Sequence, residues 1–268
     1  MINLTKEQQQ QYDKISSKIS LAKDKDNLDG YVVNLSKCIV DLGKKSNVDL
    51  GGKTARVVVA IDYSGSMSEL YRDGTIQQTL NRLVPLGLSF DDNGELEVFL
   101  FQEDYKEFAP LTLKNYSDYK TAVIDRSGYH MGGTMYSPVL EAILKSTCAA
   151  NKKKSGLFSR VFSSHDATPV SATEDPLTFV LFITDGEPFD NMATNKIIRE
   201  SAKTNTFIQF IGIGNNSFKY LKRLDDLEGR VIDNTGFSEL YDLNAISDED
   251  LYTMILEEFA GWIKAKGL

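Results

Sequence analysis

Asp62, Ser64 and Ser66 stand at every second position of Val57-Val58-Val59-Ala60-Ile61-Asp62-Tyr63-Ser64-Gly65-Ser66-Met67, so a carboxylate and two hydroxyls leave the end of an apolar run together. Gly65 lets the backbone turn tightly between the two hydroxyls. Hard divalent cations take such oxygens, and Mg²⁺ takes them in near-octahedral array at about 2.0–2.1 Å. Asp62 directly follows a run rich in β-branched residues. Such a run reads as a buried strand of a parallel sheet. Ligands of open α/β sheets bind where the carboxyl ends of the strands meet the following loops.

Other residues invite other chemistry. His130 lies in a loop, His130-Met131-Gly132-Gly133-Thr134, and His is a frequent general base. No nucleophile motif stands near it, so loop packing or an ordinary hydrogen bond is the expectation. Asp91-Asp92-Asn93-Gly94 is acidic but lacks the 12-residue ligand pattern of a dedicated calcium loop, and it reads as a solvated turn. A metal-dependent hydrolase or phosphatase is the alternative reading of the strand-end cation. A phosphatase with Asp62 as nucleophile would want a second acid two residues on, where this chain has Ser64. A Ser nucleophile would need a base and an orienting acid, and the chain has only 2 His. A non-catalytic protein is therefore expected, with no catalytic residue and no organic cofactor.

The positioning elements follow from periodicity. Residues 1–50 read as two helices: Thr5 and Gln8 fit a capping box, Tyr12, Ile15, Ile19 and Ala22 recur at helical spacing, and Asp24 to Gly30 is a polar break. Val32, Leu35, Ile39 and Leu42 make the second stripe, and both helices are expected to pack on the sheet domain. Thr75 or Asp73 caps a helix lined by Ile76, Leu80, Leu83 and Val84, with a kink expected at Pro85. Leu96–Phe101 reads as a strand, Phe108–Leu113 as an edge partner and Tyr116–Ile124 as a short helix. Helices follow from Pro138 and over Asn195–Ala202 and Phe218–Leu227. Further strands are expected at Phe179–Thr184, Phe207–Ile213 and Val231–Asp233. Ser247 with Asp250 caps a terminal helix striped by Leu251, Met254, Ile255, Phe259, Trp262 and Ile263. Alternating strands and helices from 56 to 263 argue an α/β fold, a mostly parallel central sheet with helices on both faces.

Residues 151–175 lack periodicity and read as a flexible insertion. Its basic cluster, Lys152-Lys153-Lys154, beside Leu157, Phe158, Val161 and Phe162, is the one stretch that suggests a membrane or partner contact, over 152–162. Composition bounds the rest. The 268 residues suffice for one large domain with an appendage, and the net charge of −8 disfavours nucleic acid. The start lacks the apolar core of a signal peptide, and a cytoplasmic location is expected. Cys38 and Cys148 fall in expected helices and read as unpaired structural thiols of a reducing compartment.

The motif Asp62-Tyr63-Ser64-Gly65-Ser66 resembles the metal-ion-dependent adhesion site of von Willebrand factor A (vWA) domains, which have a Rossmann-like fold. That family completes the site with a distant Thr and a distant Asp. Gly132-Gly133-Thr134 and Phe179-Val180-Leu181-Phe182-Ile183-Thr184-Asp185-Gly186 supply both. The resemblance covers about 54–264 and places the vWA domain in 51–268, after an N-terminal helical extension over 1–50. It implies that Asp62, Ser64, Ser66, Thr134 and Asp185 hold a divalent cation. Mg²⁺ is favoured, with Mn²⁺ and Ca²⁺ as alternatives. Two carboxylates neutralise such an ion, hydroxyls add ligands without overcharging it, and one position stays open for a partner's Asp or Glu. Tyr71-Arg72-Asp73-Gly74-Thr75-Ile76-Gln77, Leu83-Val84-Pro85-Leu86-Gly87-Leu88-Ser89-Phe90-Asp91-Asp92, Gly132–Val139 and Asp233-Asn234 are similar to the TerF-like vWA domains of bacterial tellurium-resistance and stress-response proteins. They are more distantly similar to the copine vWA domain. That resemblance implies a metal-dependent protein-interaction role, peripheral to the inner face of the membrane.

Overall fold

A computed structural model describes residues 4–19, 25–158 and 176–268. Six strands form one sheet in the order β3-β2-β1-β4-β5-β6. They are β1 (Arg56–Asp62), β2 (Leu96–Phe101), β3 (Tyr105–Leu111), β4 (Thr178–Thr184), β5 (Thr206–Ile213) and β6 (Thr235–Leu240). All neighbours pair in parallel except β2 and β3, which form a hairpin at one edge. The three central strands are apolar along their length because both faces are covered. Residues 57–62, 178–184 and 206–213 are all buried.

The helices are α1 (Lys6–Ile19), α2 (Lys25–Ser46), α3 (Ser68–Arg72), α4 (Thr75–Phe90), α5 (Ser137–Phe158), α6 (Asn191–Ser201), α7 (Lys219–Asp225) and α8 (Asp248–Lys266). Alternate strand residues face two cores. Val57, Val59, Ile61, Leu181 and Phe207 join the stripes of α2, α4 and α8 on one face. Val58, Ala60, Phe182 and Phe210 join those of α5, α6 and α7 on the other. The crossover from β1 to β2 thus runs over one face and those from β4 to β6 over the opposite face. The strand order reverses between β1 and β4. That reversal is the switch point at which an α/β sheet opens a crevice above its strand ends.

The N-terminal helices lie outside this sandwich, α2 against α8 and α4, and α1 against α2 and α4. Thr5 and Gln8 make the reciprocal capping bonds, Thr5 N–H to Gln8 Oε1 at 2.9 Å and Gln8 N–H to Thr5 Oγ1 at 3.3 Å. Lys18 Nζ reaches the Leu88 carbonyl at 2.6 Å, and Cys38 Sγ sits 3.6 Å from Thr253 Oγ1. Burial pushes the Cys38 thiol up to about 12, so it stays protonated and packs as a small apolar group. The side chain of Cys148 is outside the described residues. Arg82 ties α4 to the approach to α8. It pairs with Asp248 at 2.6 Å and donates to the Leu243 and Ile246 carbonyls, both at 2.8 Å. Ser247 Oγ accepts from Asp250 N–H at 3.1 Å and caps α8. Among the described residues, no helix is long and apolar enough to cross a membrane.

Several elements differ from expectation. Helix α2 already runs through 25–30, because Leu28 is buried and Tyr12 Oη donates to Asp29 at 2.6 Å across the helix pair. Residues 20–24 lie outside the described residues. The turn expected at 91–94 is present, held by the Asp91 carboxylate, which accepts from the Asn93 and Glu95 N–H groups. Strand β3 starts at Tyr105 and ends at Leu111, with exposed or half-exposed Tyr105, Lys106 and Glu107 on the edge. Residues 116–124 form a 3-10 turn and a single π turn rather than an α-helix. Helix α4 continues through Pro85. Helix α5 runs on to Phe158, carried past 151 by good helix formers, Ala149, Ala150 and Lys152-Lys153-Lys154, rather than opening a loop there. The remainder of the expected insertion, 159–175, lies outside the described residues, as do the side chains of 148–158. The expected membrane-contact cluster at 152–162 therefore falls outside what is described. The expected strand at 231–233 is absent. Arg230 pairs with Asp233 at 2.6 Å and turns the chain there, leaving Val231 exposed, and the strand forms at 235–240.

Candidate metal centre

Asp62 ends β1 beside the end of β4, because Ile61 pairs with Ile183. Its side chain is fully buried. One carboxylate oxygen accepts from Ser64 N–H at 2.7 Å and the other from Thr184 Oγ1 at 2.6 Å. The Asp62 carbonyl accepts from Tyr71 Oη at 3.1 Å. Burial raises the Asp62 carboxyl to about 6, against these hydrogen bonds, which pull it down. The protein thus holds a nearly desolvated carboxylate at the switch point with only dipoles to stabilise it.

A chain of oxygens leads from there towards solvent. Ser64 Oγ and Ser66 Oγ are 3.1 Å apart, and Ser66 Oγ donates to Asp185 Oδ1 at 2.8 Å. Asp185 is half-buried, and burial raises its carboxyl too, while the Ser66 hydrogen bond lowers it. Ser64 is buried and Ser66 exposed, so the polar chain opens at the surface. Thr134 enters through the backbone. Ser64 and Gly132 form an isolated parallel bridge, and Gly65 N–H donates to the Gly132 carbonyl at 3.2 Å. The carbonyl of the buried Thr134 accepts from Phe189 N–H at 3.0 Å, and Met135 N–H reaches the Gln102 carbonyl at 2.8 Å. The five expected residues are therefore gathered at one crevice, four through side-chain or carboxylate hydrogen bonds and Thr134 through its loop.

This donor set fits a hard cation. Two carboxylates and three hydroxyls supply oxygen alone, and no three His, Cys, Asp or Glu side chains among the described residues form a rival metal group. A buried carboxylate held high is what a divalent charge beside it would relieve. His130 is exposed, in the loop that leads into Gly132.

Sequence reasoning missed several residues that shape this crevice. Thr184 ends the apolar run of β4, but only the β1–β4 register makes it a partner of Asp62. Tyr136 Oη donates to the Gly186 carbonyl at 2.5 Å and lies 3.3 Å from Thr184 Oγ1. Asn216 Nδ2 donates to the Asp185 carbonyl. Gln102 and Glu103 lie over Gly132 and Gly133, where a Cβ would meet their side-chain oxygens. The glycine pair therefore makes room for the β2–β3 hairpin and not only for an ion. Removing the Tyr136 hydroxyl should isolate its contribution. Tyr136→Phe is expected to lower stability by about 1–2 kcal/mol, since the Gly186 carbonyl loses its nearer donor and keeps only Thr184 Oγ1 at 3.4 Å. Urea unfolding of the two proteins would show it as a lower midpoint at unchanged slope.

Parallel strands with helices on both faces and an Asp-x-Ser-x-Ser turn at the switch point define a vWA-type α/β protein. The chain belongs to the vWA family, for residues 54–267 match the group described as the vWA domain found in the TerF C terminus. It is 33% identical over 236 residues to the uncharacterized protein YcbR of Bacillus subtilis (strain 168), a match that covers 84% of this chain and 86% of that one. Similar solved structures include proximal thread matrix protein 1 of the mussel byssus, at 18% identity and a TM-score of 0.46. The manganese-loaded TRAP protein of Plasmodium vivax is similar at 18% identity and a TM-score of 0.44. Each match covers 78% of this chain, with 48% of the mussel protein and 74% of TRAP. This chain thus spans about half the length of the mussel protein.

Proposed function

We propose that this protein is a non-catalytic, cation-dependent protein-interaction module of a bacterial stress-response system of the tellurium-resistance type, acting in the cytoplasm. Asp62, Ser64, Ser66, Thr134 and Asp185 would hold a divalent cation, Mg²⁺ first. The cation supplies a Lewis-acidic position that a partner's Asp or Glu completes. The chain's own residues orient and shield: Thr184 and the Ser64 amide fix the Asp62 carboxylate, and Ser66 sets the rotamer of Asp185.

The single observation that carries this reading is the oxygen chain from buried Asp62 through Ser64 and Ser66 to Asp185. It offers oxygen ligands and charge for an ion, and the docking role needs no more than these. The family membership supports the cation, and the TerF-like group supports the stress-response setting.

A pull-down from bacterial lysate tests it, run with the parent in Mg²⁺, the parent in EDTA and Thr134→Ala in Mg²⁺. A partner held only by the parent in Mg²⁺ is expected. The same proteins in all three samples would remove the cation from the interaction. A phosphatase screen with Mg²⁺ and Mn²⁺ addresses the hydrolase alternative; turnover lost in Asp62→Ala would replace the docking role with a hydrolytic one.

A further inference from the structure

Two large apolar side chains stand in water beside the candidate metal centre. Phe189 is 83% exposed and Met192 is 89% exposed. Nearly all other large apolar side chains described are buried or half-buried, and the remaining exposed ones, Tyr105, Val231 and Tyr241, lie on the β3 edge, in the bend before β6 and just after β6. Isolated exposed apolar residues need no explanation, but this pair is held out by a tied-down loop, at Phe189, and by the first turn of α6, at Met192. The Gly186 carbonyl accepts from Tyr136 Oη. Glu187 Oε1 accepts from Tyr220 N–H at 2.9 Å. Phe189 N–H donates to the Thr134 carbonyl at 3.0 Å. The Asp190 carboxylate accepts from the Tyr136 and Ser137 N–H groups at 3.0 and 2.7 Å. A ring carried on a backbone fixed in this way costs no loop ordering when a partner covers it, which is the character of a binding anchor.

We infer that the partner is a protein segment carrying an Asp or Glu with a bulky apolar side chain a few residues away, the acid completing the cation and the apolar group packing on Phe189 and Met192. This rests on the cation-docking role proposed for Asp62 and its neighbours. Phe189 follows Asp185 by four positions, so the anchor lies within about 14 Å of the centre along the chain. An extended segment therefore spans the two points in roughly four residues. Charge selects the partner class. Asp185, Glu187 and Asp190 flank Phe189 in the chain, and their carboxylates repel an anionic membrane surface and equally an acidic peptide, except at the cation. Affinity then needs both the cation and the apolar anchor, and neither alone suffices.

A random peptide library of about twelve residues, selected on the parent protein in Mg²⁺, tests this, with EDTA elution and with the Phe189→Ser/Met192→Ser double variant as comparison. Both side chains are exposed, so the variant keeps its packing and the Phe189 N–H bond. Calorimetric titration of Mg²⁺ checks that its cation site is intact. The expected result is EDTA-released peptides with an acid within about four residues of Phe, Leu, Met or Trp, binding the double variant at least roughly tenfold more weakly at equal Mg²⁺ affinity. EDTA-released peptides that bind both proteins equally would overturn the apolar anchor and leave the cation-docking role standing. Peptides that survive EDTA, or no enrichment at all, would overturn both. Sedimentation velocity covers the remaining occupant: self-association of the parent that the double variant loses would assign the patch to a second copy of the chain and overturn the inference.

Discussion

In EDTA at neutral pH, Asp62→Asn should melt at a higher temperature than the parent, while in Mg²⁺ it should show none of the parent's cation-induced stabilisation. The sign follows from burial. The Asp62 carboxyl stands at about 6 in the folded protein against an ordinary value of 3.8. The unfolded chain therefore releases this proton first as pH rises. Stability falls between those two values and stays reduced above them. The side-chain amide is isosteric and carries no charge. It can still accept from Ser64 N–H and donate to Thr184 Oγ1. The gain is on the order of 1–3 kcal/mol, or a rise of roughly 2–10 °C for a domain of this size. It should vanish below the ordinary value of 3.8, where the parent's carboxyl is protonated in both states. Asp185→Ala should lose cation binding with a fold that survives. Calorimetric titration and thermal melts at acid and neutral pH check all of this. An Asp62→Asn protein that binds Mg²⁺ as the parent does would remove Asp62 from the ligand set. One that melts lower in EDTA would remove burial as the source of the raised carboxyl.

The second large effect lies far from the crevice. Phe259→Ala should destabilise the protein by about 3–5 kcal/mol, because the ring is fully buried and the site cannot collapse around its loss. Phe259 stacks on Phe179 with centroids 4.2 Å apart and planes 7° from parallel. It also meets Phe207 at 5.7 Å, Phe90 at 6.1 Å and Trp262 at 6.1 Å. One side chain thus joins α8 to β4, β5 and the end of α4. A fall of roughly 6–20 °C in the melting temperature is expected, with cation affinity unchanged below the transition. Equal melting temperatures would mean that α8 is not part of the cooperative core.

The contrast between these residues shows what a sequence can carry. Strands β1, β4 and β5 are legible because burial on both faces forces unbroken apolar runs, and such runs need no partner to be recognised. Strand β6, Thr235-Gly236-Phe237-Ser238-Glu239-Leu240, is half polar, and its place is set by pairing with β5. The apolar Val231 and Ile232 pointed to the wrong segment, since an ion pair from Arg230 to Asp233 turns the chain there. The polar residues at 25–30 hid the start of α2, whose first turns are held by the burial of Leu28 and the Tyr12–Asp29 hydrogen bond, ahead of the apolar stripe that begins at Val32. At the crevice, Asp62, Ser64 and Ser66 are neighbours in sequence and announce themselves. Thr184 on Asp62, Asn216 on Asp185 and Tyr136 on Gly186 depend on strand register and loop closure. No local pattern encodes either.

The loop that carries Thr134 is sewn to three different loops by single backbone bonds. Gly65 N–H bonds to Gly132, Met135 N–H to Gln102 and Phe189 N–H to Thr134. Lifting that loop must break all three, since each bond belongs to a different neighbour but to the same short stretch. The amide protons of Gly65, Met135 and Phe189 should therefore exchange with deuterated solvent as one group, with a common opening free energy. These three amides, drawn from distant parts of the sequence, become a built-in gauge of how often the crevice unlatches.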